Sequence, residues 1–210
     1  MRILLLSDSM ALPREEFSAE HACYLEILEK KFETIDFQRL SLGKAILPNL
    51  VNQYDRYYRY FNPDIVILHC GIVDCAPRAL KKWEQHLLGG LPLLGKVVYK
   101  YRKQLRKLRN ISYTSQTQFK CLLDHLQSQL GSSLFVISIA PPTSRYRKKV
   151  EGILERVEAY NALLQSVNNY VDLSEMPEAF IGSDDYHFNY LGHEFVAQKL
   201  EKAIKLVRSK

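Results

Sequence analysis

The sequence predicts an α/β protein, a three-layer α/β/α sandwich around a mostly parallel, five-stranded sheet. Short apolar runs alternate with amphipathic stretches along the 210 residues. The runs Ile3-Leu4-Leu5-Leu6 and Ile65-Val66-Ile67-Leu68 show no polar alternation. Strands of that kind are covered on both faces, as in a parallel sheet between helix layers. No repeat, low-complexity tract or linker rich in Pro, Gly or Ser divides the chain, so residues 1–210 are expected to form a single domain.

The elements follow in order. Residues 2–7 read as a buried strand. Residues 13–31 read as a helix, with Pro13 near its first turn, Glu15 and Glu16 at its positive dipole end, and Phe17, His21, Tyr24, Leu25 and Leu28 on one face. Residues 34–41 give a second strand. Leu47, Leu50, Val51, Tyr54, Tyr57, Tyr58 and Phe61 mark a tyrosine-rich helix. Residues 64–70 give the third strand. A helix over 78–88 stops at Gly89-Gly90, and another over 115–130 stops at Gly131. Residues 134–140 form the fourth strand, closed by Pro141-Pro142. A helix over 148–167, a short strand over 170–173 and a last helix over 192–207 complete the chain.

Composition narrows the function class. Charged residues make up 25% and apolar residues 47%, ordinary values for a globular chain with one sizeable core. No apolar run reaches the ~20 residues that span a bilayer. Met1-Arg2 leads into an apolar run that ends at Ser7, which does not read as a signal peptide, so the expected location is cytoplasmic. Cys23, Cys70, Cys75 and Cys121 form no C-x-x-C pair and are expected to be buried free thiols. No metal site and no cofactor is expected.

The net charge of +6 is concentrated. Lys96, Lys100, Arg102, Lys103, Arg106, Lys107 and Arg109 lie in one stretch without an acidic residue, and Leu94, Val97, Val98, Tyr101, Leu105 and Leu108 recur there at helical spacing. This reads as a basic amphipathic helix inside an excursion over 88–115. It is either a solvated cationic face packed on the core by its apolar side, or a surface that meets an anionic substrate, a membrane or a partner protein. No nucleic-acid motif accompanies the charge, so nucleic acid is not an expected partner.

Three residues suggest the chemistry. Ser9 lies on the turn after the first strand, and Asp184 and His187 lie after the fifth. A serine hydroxyl becomes a nucleophile when a base takes its proton and a third group orients that base. Gly43 follows the second strand and Gly71 the third. All five fall at the carboxyl ends of strands, where open α/β sheets collect function.

On these blocks the chain resembles the SGNH hydrolases, or GDSL-like esterases. The nucleophile motif is matched by Ser7-Asp8-Ser9, the second block by Gly43 in Leu42-Gly43-Lys44, the third by Gly71-Ile72-Val73-Asp74, and the last by Asp184-Asp185-Tyr186-His187, followed by Asn189 and Gly192-His193. The resemblance spans residues 7–193. It implies the flavodoxin-like SGNH fold, Ser9 as nucleophile, His187 as base, Asp184 as its orienter, and an oxyanion hole built from the N–H groups of Ser9 and Gly43. Asp8, Gly71, Val73, Asp74, Arg78 and Asn189 become candidates for substrate contact. Ser7 replaces the family's glycine. Val73 replaces an asparagine that donates to the oxyanion, and loss of one such donor typically costs about 10²–10³ in rate. His69, Arg78 and Asn189 are candidate substitutes.

The implied activity is a serine esterase that removes a short, acetyl-like acyl group from a carbohydrate or small-molecule ester through an acyl-serine intermediate. Two alternatives stand beside it: an O-acyltransferase acting on polysaccharide, and a degenerate SGNH domain that binds without turnover, which Val73 motivates.

Overall fold

Five parallel strands form one sheet in the order β2-β1-β3-β4-β5: β1 Arg2–Ser7, β2 Asp36–Ser41, β3 Ile65–His69, β4 Leu134–Ile137 and β5 Asn169–Val171. The structure is a computed structural model in which residues 1–13, 22–88, 90 and 92–208 are described. The register aligns Leu6 with Leu40 on one side and Leu68 on the other, and it aligns Ser7 with Ser41 and His69. Strands β1 and β3 are buried along their apolar runs, as continuous Ile/Leu/Val sequence requires. Strand β2, Asp-Phe-Gln-Arg-Leu-Ser, is one of the two edge strands, and Asp36, Gln38 and Arg39 are exposed on it.

Ten helices are described: α1 Tyr24–Lys31, α2 Leu47–Arg56, α3 Ile72–Cys75, α4 Lys82–Leu88, α5 Pro92–Lys100, α6 Arg102–Arg109, α7 Gln116–Leu130, α8 Ser144–Lys149, α9 Ile153–Leu164 and α10 Tyr190–Arg208. Helices α1 and α10 pack together, and α2, α7 and α9 pack as a second group. With right-handed crossovers and this strand order, α1 must cover one sheet face and α2, α7 and α9 the other. The chain therefore has the expected three-layer sandwich, and its strand order reverses at β1/β3.

Several element boundaries differ from expectation. The first helix begins at Tyr24, where the Glu26 carboxylate accepts from the Cys23 N–H at 3.0 Å; the expected stretch 14–21 lies outside the described residues. The helix expected over 78–88 starts at Lys82, because Arg78 is held in an antiparallel bridge to Ile111. The helix expected over 148–167 is two helices, broken where Gly152 takes φ 76°, a left-handed conformation that glycine adopts without a Cβ penalty. The basic stretch is also two helices, α5 and α6. Tyr101 N–H still donates to the Val97 carbonyl at 3.0 Å, and Leu105 N–H to Tyr101 at 2.9 Å, so the backbone ladder runs through a bend.

Cys23, Cys70 and Cys75 are buried free thiols, as expected, and burial raises all three, Cys75 to about 12. Cys121 is the correction, because it is exposed. It follows Phe119 by two positions, and at 3.6 residues per turn that places it away from the buried Phe119, Leu123 and Leu126 face. Among the described residues no helix is long and apolar enough to cross a membrane, and no cluster of His, Cys, Asp and Glu is suited to hold a metal ion.

Candidate active site

The turn after β1 is set by Asp8. Its backbone N–H donates to the His69 carbonyl at 3.1 Å, and its carboxylate accepts from the Met10 N–H at 2.9 Å. Asp8 is buried and caps the short 3-10 turn Ser9–Ala11, which fixes where Ser9 points. Ser7, in the place of a glycine, shares a 2.8 Å hydroxyl–hydroxyl bond with Ser41 across the β1/β2 register. The β1 turn thus accommodates a side chain and uses it to tie the edge strand to β1.

His187 comes from the far end of the chain, on a loop closed upon itself. Ile181 and Phe188 form an antiparallel bridge, and Gly182 N–H donates to the His187 carbonyl at 2.6 Å. Inside this loop one Asp184 oxygen accepts from the N–H groups of Tyr186 and His187 at 3.3 and 3.0 Å. Its other oxygen lies 2.5 Å from His187 Nδ1. With Nδ1 protonated toward Asp184, Nε2 is left as the acceptor, and it lies 2.8 Å from Ser9 Oγ. Residues 178 positions apart thus meet in one alcohol–imidazole–carboxylate relay. Partial burial pushes the Asp184 carboxyl up, but the side-chain and backbone hydrogen bonds from His187 outweigh it and hold the group well below the usual carboxylate range.

Asp185, the neighbouring carboxylate in the same block, faces elsewhere. It takes φ 81° and turns its buried carboxylate to Arg145 and to Lys149, the latter at 2.5 Å. Gly192, in the first turn of α10, explains how closely the loop is packed. A Cβ there would meet the Phe180 carbonyl at 2.4 Å and the Phe188 Cβ at 2.9 Å.

Ser9 opens into a cleft of about 400 Å³ that Lys44, Val73, Arg78 and Tyr186 help line. Gly43 adjoins Lys44 on the turn after β2, and the N–H groups of Ser9 and Gly43 donate to no described residue. Val73 presents its side chain toward the cleft and core, and its carbonyl accepts from Arg78 Nη2 at 3.0 Å.

Other candidates have structural work. Asp74 is buried and accepts from Thr114 Oγ at 2.5 Å and from Leu47 N–H at 2.9 Å, which locks the start of α2 to α3. Gly71, at φ 133°, leads into α3 with Ile139 where a Cβ would sit. Asn189 caps α10, accepting from Gly192 N–H at 3.2 Å and donating to the Ala179 carbonyl at 2.7 Å, so it is not a donor to the cleft. His69 is corrected in the same way. It is 2% exposed, hydrogen-bonded to Tyr24 and stacked on Phe188; burial, and then the neighbouring His193, lower it to about 3. It is a neutral packing residue behind the relay. His193 is also structural, its Nδ1 accepting from Tyr24 N–H at 3.3 Å.

The cleft also holds residues the motifs did not mark. Tyr186 lies inside the Asp184–His187 block, with its ring 4.1 Å from the imidazole. Tyr113 and Tyr146 come from the end of the excursion and from α8, and only folding places them beside Ser9.

No protein-family model matches the chain, and no curated protein matches it by sequence. Its structure is similar to a lipase/acylhydrolase from Enterococcus faecalis, with TM-score 0.69, 14% identity, and 97% of this chain and 95% of the other covered. An acetyl xylan esterase aligns with TM-score 0.63 at 16% identity over 97% of this chain and all, 100%, of its own. An acetylxylan esterase from Geobacillus stearothermophilus aligns with TM-score 0.63 at 14% identity over 97% and 93%. Strand order, layer arrangement and near-complete coverage converge: this chain has the α/β/α fold that these hydrolases share.

Proposed function

We propose that the protein is a serine esterase that removes a short acyl group, such as acetyl, from a carbohydrate or small-molecule ester. The observation that carries this reading is the continuous contact from Ser9 Oγ to His187 Nε2 at 2.8 Å and from His187 Nδ1 to Asp184 at 2.5 Å. His187 takes the Ser9 proton as the oxygen attacks the ester carbonyl, and Asp184 stabilises the imidazolium. The uncommitted N–H groups of Ser9 and Gly43 receive the negative charge of the tetrahedral intermediate. The leaving alcohol departs with the proton from His187, and water then releases the acyl group from Ser9 by the reverse roles. The acetyl xylan esterases of the same fold support acetyl esters as the first substrates to test.

The experiment is hydrolysis of p-nitrophenyl acetate by the wild type and by Ser9→Ala, with fluorophosphonate labelling of Ser9 in parallel. Turnover and labelling, both lost in Ser9→Ala with the circular dichroism unchanged, support the reading. A well-folded wild type that shows neither would sink it.

Val73 favours one second reading, a binding module without turnover, because it offers no donor where a third oxyanion contact would come from. That reading expects neither labelling nor hydrolysis. An acyltransferase would instead form product only when an acceptor hydroxyl is supplied. The basic helices α5 and α6, with exposed Leu94 and Val97 among their cations, suit docking to an anionic membrane surface or an acidic protein face. Cosedimentation with anionic and zwitterionic vesicles tests the membrane form of that idea. Cytoplasmic location remains part of this proposal.

A further inference from the structure

The cleft in front of Ser9 has an unusual charge balance. Among the described residues no acidic side chain lines it, while Lys44 and Arg78 do, together with Tyr113, Tyr146 and Tyr186. Arg78 is positioned with care. Its backbone N–H donates to the Ile111 carbonyl at 2.9 Å, one guanidinium nitrogen donates to the Val73 carbonyl at 3.0 Å, and the guanidinium plane lies over the Tyr113 ring with 4.3 Å to its centroid. Yet its Nε is buried without a hydrogen-bond partner, and no described carboxylate pairs with it. Nε faces protein, so it is the remaining guanidinium N–H groups, with no described carboxylate to pair them, that suit an oxygen anion entering the cleft that Arg78 lines.

The neighbourhood has the same sign. Arg106 also has a buried, unpartnered Nε, and burial together with the nearby positive charges of Arg78 and Arg102 lowers its affinity for a proton. Cations crowded without counter-charge repel one another, and an incoming anion relieves that repulsion.

We propose that the substrate is an ester that also carries an anionic oxygen group, a carboxylate or a phosphate, and that Arg78 holds that group while Ser9 faces the ester. The catalytic step is the one already proposed, and the inference rests on that reading for turnover though not for binding. Arg78 is a specificity residue and takes no part in the proton transfers.

The test compares three acetyl esters of similar size: methyl 4-acetoxybenzoate, which is neutral, 4-acetoxybenzoate, and 4-acetoxyphenyl phosphate. The wild type is expected to favour at least one anionic ester in kcat/KM by about tenfold, the worth of one charge-assisted hydrogen-bonded contact. Arg78→Gln is expected to remove that preference, mainly through KM, and Arg78→Lys to restore part of it. The preference should shrink as salt rises, because the site is open to solvent. The two anionic arms decide between carboxylate and phosphate. Equal handling of all three esters by the wild type, or an Arg78→Gln loss that is equal for neutral and anionic esters, would overturn the proposal; the latter result would make Arg78 an oxyanion donor instead.

Calorimetric binding of the same compounds to Ser9→Ala separates the two readings. If the wild type hydrolyses none of them but Ser9→Ala binds an anionic ester about tenfold more tightly than the neutral one, the anion subsite stands and the hydrolytic reading falls. If Ser9→Ala does not discriminate, the subsite falls whatever the turnover.

Discussion

Ser9 and His187 meet at the edge of a sheet whose strands β1 and β3 are buried on both faces, whereas α4 to α6 carry Trp83, Leu87, Leu94, Val97 and Leu108 at the surface, Leu108 with 83% of its area exposed. The two regions are stabilised by different physics. Around the relay, apolar side chains and backbone hydrogen bonds fix each group from several directions, as with Asp8, Gly192 and the closed loop from Ile181 to Phe188. Around the excursion, polar contacts do most of the holding. Arg109 grips Glu84 through two hydrogen bonds of 2.7 and 2.6 Å, and this pair holds Glu84 at about 2. Lys107 and Glu151 form an ion pair that is largely exposed and adds little. The difference teaches that the Ser9–His187 contact is fixed from several directions at once, whereas few buried apolar contacts hold the excursion, the kind of region expected to open at lower free-energy cost.

The sharpest way to break this comparison is to remove the relay. Ser9→Ala or His187→Ala is expected to lower kcat for p-nitrophenyl acetate by about 10³-fold or more without moving the thermal midpoint by more than a few degrees. A large loss of stability in either would mean the relay is structural. Gly192→Ala comes next, since the added methyl collides with backbone. We expect about 1–3 kcal/mol of destabilisation and a fall in kcat, because the shift acts on the loop that carries His187. A melt and a rate measured together check it, and an unchanged rate would show the loop to be softer than its packing implies.

Val73→Asn sharpens the account of the oxyanion hole. If the site is intact but lacks one donor, kcat rises, by up to about 10²–10³. The pH response of Asp184 gives a smaller effect. Its carboxyl is lower in the folded protein than in the unfolded chain, so the stabilisation from its ionised form is present above the unfolded value near 3.8 and is lost as pH falls through the folded value. Asp184→Asn is therefore expected to melt below the wild type at pH 7, with the gap closing under strongly acidic conditions. Melting curves across pH check the sign. The smallest effect belongs to the excursion: Leu108→Ser should change stability by no more than about 0.5 kcal/mol by denaturant titration.

The sequence carried the strand pattern because β1 and β3 are buried on both faces, which leaves uninterrupted Ile, Leu and Val. It carried Ser9, Asp184 and His187 because each sits directly after a strand or in a short block. It was less informative where tertiary contacts decide. Asn189 and His69 look like donors in one dimension, yet Asn189 is spent on a helix cap and His69 is buried against Phe188 with a hydrogen bond to Tyr24. The break at Tyr101 has no proline or glycine to announce it. Tyr113 and Tyr146 line the cleft only because the chain returns from the excursion and then from β4 to the same edge.

One clasp joins the two regions. The Arg78–Ile111 bridge closes the base of the excursion, and Arg78 also lines the cleft, together with Lys44 on the turn after β2. Arg78 therefore belongs to both at once: its backbone pairs with Ile111 at the foot of the arm, and its side chain forms part of the wall beside Ser9.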